Sequence, residues 1–253
     1  MITSTENPRI KAYAKLKTAR ERRKTGLFLI EGHREVQRAL AAGVEIDVLI
    51  VCPALLGSGL DPSDTETLEV AETPMRRIAI REHPPGVIAV ARQFPLGLAD
   101  LEVGAPALLL IAEGMEKPGN IGAMMRTCDA AGATMIVADG ATDIYNPNVI
   151  RASQGSVFSI PLAVASAAET IEWCRERSVT VVGGYPTAGT ELWDAPLNGS
   201  CAVVVGAEDV GISPIWHGII TPVRIPMAGT ADSLNASVSA AILLFEAVRQ
   251  RRS

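Results

Sequence analysis

Apolar residues come in short unbroken runs through the second half of the chain, and helix-spaced stretches separate most of them. The runs lie at 107–112, 134–138, 179–183, 201–205 and 222–225, and the helical patterns at 121–131, 166–177 and 233–250. Runs of this length bounded by turn residues predict strands buried on both faces, and their alternation with helices predicts an α/β fold with a mainly parallel sheet. The first half is less regular. Residues 11–23 predict one charged helix, 27–30 a strand, 32–42 a helix stopped by Gly43, and 46–51 a second strand. Residues 75–80 and 86–91 are expected as short strands, with a Gly/Ser/Asp/Pro loop over 57–67. Two prolines and two glycines interrupt 93–106. A small α/β domain over 1–95 is therefore expected to lead through a linker at 96–106 into a larger domain over 107–253.

Composition narrows the class. Of 253 residues 48% are apolar but only 4% aromatic, so the core is expected to be aliphatic. No apolar run approaches the roughly 18 residues of a membrane span, and the first residues lack the apolar centre of a signal peptide. Cys52, Cys128, Cys174 and Cys201 are dispersed, without a C-x-x-C pair and with only three histidines in the chain. Neither a metal site nor a disulfide framework is expected, and a reducing cytoplasm is the default location. The net charge of −5 is unevenly spread: residues 1–40 carry +6 and the remainder −11. Arg9, Lys11, Lys15, Lys17, Arg20, Arg22, Arg23 and Lys24 supply most of the basic end. Such an end fits a polyanionic partner, although a solvated helix face explains the charge equally well.

Three strand ends carry candidate chemistry. After the run at 107–112 comes the turn Pro118-Gly119-Asn120, and then a helix with Gly122, Met125, Arg126 and Asp129 at helical spacings. A carboxamide and a guanidinium thus lie near a strand's carboxyl end, where open α/β sheets place ligands. The run at 201–205 leads into Gly206, Glu208 and Gly211, followed by Ser213-Pro214 as an expected helix start. The last strand leads through Ile225, Met227 and Gly229 to Asp232, Ser233, Leu234 and Asn235. Asp232 or Ser233 is the expected cap of the long helix that follows. Capping by either explains Asn235 poorly, because asparagine is a weak interior helix former. The dinucleotide G-x-G-x-x-G, the P-loop and the G-x-S-x-G elbow are all missing from the sequence, which argues against a dehydrogenase, a P-loop NTPase and an α/β-hydrolase.

These blocks resemble the three signature motifs of the SpoU (TrmH-like) family of RNA 2′-O-ribose methyltransferases. Pro118-Gly-Asn120-Ile-Gly122 with Arg126 resembles the first, Gly206-x-Glu208-x-x-Gly211 the second, and Ile225-Pro-Met with Ser233-Leu-Asn235 the third. Asn7-Pro-x-Ile-Lys through Phe28-Leu-Ile-Glu31-Gly resembles the small RNA-binding domain of ribosomal-RNA members. The sequence departs from the family's frequent residues at Lys117 (Asp), Ala207 (Asn) and Ala236 (Val).

The resemblance implies a deep trefoil knot in the C-terminal domain, S-adenosylmethionine as cofactor, and a homodimer in which Arg126 acts in its own subunit or across the interface. It implies cofactor contacts from Tyr185, Gly206, Ile225, Met227 and Leu234, with Gly206, Gly211 and Gly229 allowing backbones to approach closely. Arg126 would grip the phosphate beside the target ribose, Asn120 would orient Arg126 or its loop, and Glu208 would fix that arginine or its own loop. Ser233 and Asn235 would bond the cofactor's methionyl part or the ribose. Arg9, Lys11, Lys15, Arg22 and Arg23 would bind RNA. The expected substrate is 23S ribosomal RNA; the alternatives are a transfer-RNA methyltransferase and a non-catalytic ribosome-assembly protein of the same fold.

Overall fold

The computed structural model describes residues 1–57 and 65–252. The stretch to residue 94 holds α1 (Pro8–Lys15), α2 (Ala19–Thr25), β1 (Leu27–Glu31), α3 (His33–Ala41), β2 (Ile46–Val51), β3 (Thr67–Glu69), α4 (Glu72–Ile78) and β4 (Val87–Arg92). Next come β5 (Leu108–Glu113), α5 (Pro118–Ala131), β6 (Thr134–Ala138) and α6 (Pro147–Ala152). The chain ends with β7 (Leu162–Ala165), α7 (Ala167–Glu176), β8 (Thr180–Gly184), β9 (Thr190–Glu191), β10 (Cys201–Val205), β11 (Thr221–Arg224) and α8 (Ala236–Gln250). Most of the loop expected over 57–67 lies outside the described residues.

The chain forms two compact units, Met1–Phe94 with Asp143–Ser159, and Pro95–Thr142 with Ile160–Ser253. In the first, β1 and β2 flank β4 antiparallel and β3 runs parallel to β2, in the order β1-β4-β2-β3. Ile10, Leu16, Leu29, Ile50, Met75 and Ile78 belong to its core.

Two expectations fail here for identifiable reasons. Residues 75–80 are not a strand. Helical spacing in α4 buries Met75 and Ile78 while Arg76 and Arg77 stay exposed, whereas strand alternation would put an arginine on each face. The charged stretch 11–23 is two helices. Thr18 caps α2 by accepting from the Glu21 N–H at 3.4 Å. Arg22 Nη1 donates to the carbonyls of Leu16 and Lys17, each at 2.9 Å, which a continuous helix would give to the N–H groups of residues 20 and 21.

Arg22 is thereby excluded from the RNA-binding set. It is 2% exposed, and its guanidinium holds Asp143 at 2.7 and 2.8 Å. Removing one partner of a buried pair strands the other. Arg22→Ala is expected to lower unfolding free energy by about 3 kcal/mol, read from the urea midpoint at unchanged slope.

Asp143 introduces a segment, 143–159, that was expected in the larger domain and folds with the first unit. Tyr145 and Phe158 join Phe28 and Phe94 in an aromatic cluster, with Tyr145 centred 5.1 Å from Phe28 and 5.3 Å from Phe94.

The second unit is a seven-stranded sheet in the order β7-β6-β5-β10-β8-β11-β9, and every pairing in it is parallel. On one side Leu109, Ile111, Ile136, Ala202 and Val204 pack with α7 residues and Trp216. Elsewhere α5 and α8 pack on each other and against β5 and β10. The expected linker is largely part of this unit: Leu98, Leu101 and Val103 pack on its core, and the Leu96 carbonyl accepts from the Val164 N–H at 2.7 Å. The edge strands β7 and β9 were not foreseen. All four cysteines are buried, and among the described residues no helix is long and apolar enough to cross a membrane.

Candidate active site

Four neighbouring strands, β5, β10, β8 and β11, build the site. Because they are parallel, their carboxyl ends share one edge, and the loops that leave it carry all three sequence blocks. The β5 loop turns into α5 at Pro118, where a residue without an N–H costs nothing in the first helical turn. The β10 loop closes on itself through Gly211 N–H to Ala207 O at 2.8 Å. Gly211 has φ +69°, a conformation that favours glycine. The β11 loop runs to Asn235, the N-cap of α8, whose side chain accepts from the Ser237 N–H at 3.0 Å. Neither Asp232 nor Ser233 caps that helix, because α8 starts only at Ala236.

The three loops meet at the Glu208 carboxylate. Its Oε1 accepts from Asn235 Nδ2 at 2.6 Å and from Asn120 Nδ2 at 3.3 Å, and Asn235 Nδ2 also reaches Asn120 Oδ1 at 3.2 Å. The second oxygen, Oε2, takes Lys117 Nζ. Hydrogen bonds from Lys117 and then from Asn120 hold Glu208 below the usual carboxylate range. Asn120, Glu208 and Asn235 are marked by their sequence blocks, whereas Lys117 stands out in the sequence only as a departure from the family's frequent residue. Glu113, at the end of β5, carries no such mark. That buried carboxylate accepts from the Ser213 N–H at 2.9 Å and from the Ser213 hydroxyl, pinning the far end of the β10 loop. Ser213 therefore faces Glu113 and caps no α-helix; only a single turn, Pro214–Trp216, follows it.

Beside this junction lies a concave pocket of ≈ 750 Å³, counting the space open to solvent. Tyr185, Gly206, Ile225, Met227 and Leu234 all line it, as do Ser233 and the inner side of Glu208. Like small-molecule sites generally, it combines apolar walls with a few polar groups. Gly206 provides the closest approach. A Cβ there would sit 2.1 Å from the Gly211 carbonyl carbon and oxygen. Gly211 and Gly229 play no such part, since a Cβ on either would meet nothing within 4 Å.

Arg126 stands apart from this network. It lies six residues along α5 from Asn120, about 9 Å up the axis and about 120° around it. It is exposed, and no hydrogen bond or ion pair engages it among the described residues. Among the described residues neither Asn120 nor Glu208 bonds Arg126; their side chains meet each other, Lys117 and Asn235.

Of the remaining basic residues expected to bind RNA, Lys15 and Arg23 are exposed. Arg9 is held by Glu66 at 2.7 Å and by Tyr13, and Lys11 pairs with Glu6 at 2.5 Å. Such exposed pairs are weak enough to exchange for a phosphate.

The model of the SpoU rRNA Methylase family matches residues 107–245, a span that contains every one of these loops. The chain belongs to this family. A second match, to the MRM3-like substrate binding domain, covers residues 7–89. Among SpoU relatives, the chain is 31% identical to the 23S rRNA (guanosine(2553)-2′-O)-methyltransferase RlmP of Bacillus subtilis, over 96% of this chain and 97% of that one. It is 32% identical to the 23S rRNA (uridine(2479)-2′-O)-methyltransferase of Streptomyces viridochromogenes, over 100% and 93%. Among solved structures, an RNA 2′-O ribose methyltransferase superposes with a TM-score of 0.87 at 43% identity, covering 100% of this chain and 99% of that one. The SpoU methyltransferase AviRb of Streptomyces viridochromogenes, in complex with AdoMet, superposes at 0.86 with 29% identity, covering 97% and 99%.

Proposed function

We propose that the protein transfers a methyl group from S-adenosylmethionine to a ribose 2′-hydroxyl of 23S ribosomal RNA. The observation that carries this reading is the convergence of Asn120, Glu208 and Asn235, from three separate loops, at the mouth of a pocket with apolar walls and a few polar groups. Full-length relatives named for that reaction support the same conclusion.

The pocket fits the cofactor. Its apolar wall, with Ile225, Met227 and Leu234, suits an adenine ring, while Ser233 and the backbone beside Gly206 supply polar contacts. When bound there, the sulfonium supplies a methyl group already activated for displacement. The chain's own residues must then align the hydroxyl. A guanidinium keeps its charge and so makes a poor base, but it matches a phosphate through two parallel hydrogen bonds. Arg126 therefore grips the phosphate next to the target ribose, and the hydroxyl proton leaves to that phosphate or to water. Asn120 and Asn235, fixed by Glu208, set the position of the ribose relative to the methyl donor. Alignment of this kind lowers a barrier by several kcal/mol without covalent chemistry.

The same reading includes the knotted threading of the C-terminal unit, a cytoplasmic location beside the ribosome, and a homodimer. Val238 and Phe245, seven residues apart on α8, are each 46% exposed. That spacing places them on one apolar stripe, which a second copy would cover.

Purified protein incubated with tritiated S-adenosylmethionine and 23S ribosomal RNA is expected to label a single ribose, mapped by resistance of its phosphodiester to alkali. Label found in transfer RNA alone, or in the bases, would overturn the proposal.

A further inference from the structure

Lys117 joins the Glu208 junction but has no part in the methyl-transfer reading so far. It precedes Pro118 at the start of α5, it is 70% exposed, and its ammonium is committed to Glu208. An exposed ion pair contributes little to folding, so stability does not account for this one. Glu208, however, sits in a loop whose next residues, Asp209 and Val210, are exposed, and a carboxylate in such a loop has several rotamers available. Both site amides donate to the same oxygen, Oε1, while Lys117 holds the other. Fixing Oε2 fixes the rotation of the carboxylate, and with it the direction in which Oε1 draws Asn120 and Asn235.

We propose that Lys117 is a positioning residue of the methyl-transfer site, gripping the outer oxygen of Glu208 so that Asn120 and Asn235 are held in one arrangement. The inference rests on the methyl-transfer reading above.

The test is a double-mutant cycle of Lys117→Ala and Glu208→Gln, read as kcat for methyl transfer. Lys117→Ala is expected to lower kcat about tenfold, in line with the steep cost of small misplacements. The dissociation constant for S-adenosylmethionine and KM for RNA should stay within about threefold, and Lys117→Arg should restore most of the rate. In the Glu208→Gln background the effect of Lys117→Ala should largely vanish, because the interaction it removes is already gone.

The pH profile gives a second readout. Lys117 helps to keep Glu208 ionised as pH falls, so without it protonation begins at higher pH and the acidic limb of kcat moves upward. Full kcat in Lys117→Ala, strictly multiplicative losses, or a raised RNA KM at unchanged kcat would each overturn the assignment, the last by making Lys117 a plain RNA contact. Should the unaltered protein transfer no methyl group, the functional reading fails on its own. The grip is then read from the side-chain amide resonances of Asn120 and Asn235, which should move in Lys117→Ala; unmoved resonances would overturn it.

Discussion

Replacing Arg126 with alanine is expected to reduce ribose methylation by roughly a thousandfold, the scale seen when one preorganised charge is removed from a transition state. The expectation follows from where the residue stands. α5 is a regular fourteen-residue helix, so the Arg126 backbone is fixed, and its buried side (Ile121, Met124, Met125, Cys128) anchors it to the second unit. The residue is exposed and has no hydrogen bond or ion pair to give up among the described residues. Its removal is therefore expected to leave stability within about 0.5 kcal/mol, and the pocket proposed for the cofactor unaltered. Methyl transfer, calorimetric binding of S-adenosylmethionine and the thermal midpoint together separate these outcomes. Loss of the first with retention of the other two is the expected result. An active Arg126→Ala protein would remove the phosphate grip from the mechanism. Lysine at 126 should recover only a fraction of the rate, since an ammonium cannot make the paired contact.

The second large effect is expected at Gly206. Added to this glycine, a Cβ would lie 2.1 Å from the Gly211 carbonyl carbon and oxygen and 2.4 Å from the Ile212 nitrogen. All three are backbone atoms and cannot swing aside as the end of a side chain can. Gly211 is tied to Ala207 by its own N–H, and Ser213 beyond it is clamped by Glu113, so the loop resists at both ends. Gly206→Ala must then push the loop outward across the pocket wall. The expected cost is about 2–3 kcal/mol of stability and at least about a hundredfold in cofactor affinity, or about 2.7 kcal/mol. Gly199→Ala is the control, because a Cβ there meets nothing within 4 Å. Equal cofactor binding by the two variants would show that the loop yields without disturbing the pocket.

Much of the second unit was legible in advance because its five inner strands read as short, largely apolar runs bounded by turn residues, unlike the edge strands β7 and β9. The sheet, its parallel sense and the three loops all follow from that pattern. What escaped depended on partners remote in the sequence. The break between α1 and α2 is made by Arg22 turning back onto Leu16 and Lys17, and that arginine is held by Asp143, 121 positions away. No local signal marks it; a run of basic residues looks solvated until one of them is found inside. Residues 75–80 misled because only six positions were weighed, too few to separate a period of two from one of three and a half. Lys117 was visible only as an unusual residue, since its meaning comes from Glu208, 91 positions on. Asn235 shows the opposite case. It lies outside the helix interior, as its residue type suggested, but the cap expected at Asp232 or Ser233 is Asn235 itself, which also joins the Glu208 junction.

The return of residues 143–159 to the first unit has a practical consequence for dissecting the molecule. The main chain passes from one unit to the other three times, at 94–95, 142–143 and 159–160. A single cut therefore cannot yield both parts intact. Removing everything before residue 95 strips Arg22, Phe28 and Phe94 from Asp143, Tyr145 and Phe158, leaving a carboxylate without its cation and aromatic rings facing water. Ending the chain at 94 leaves the complementary wound. The two units are thus encoded in interleaved stretches of sequence, and domain shuffling by simple end-to-end fusion would have to carry the excursion along with the part it completes.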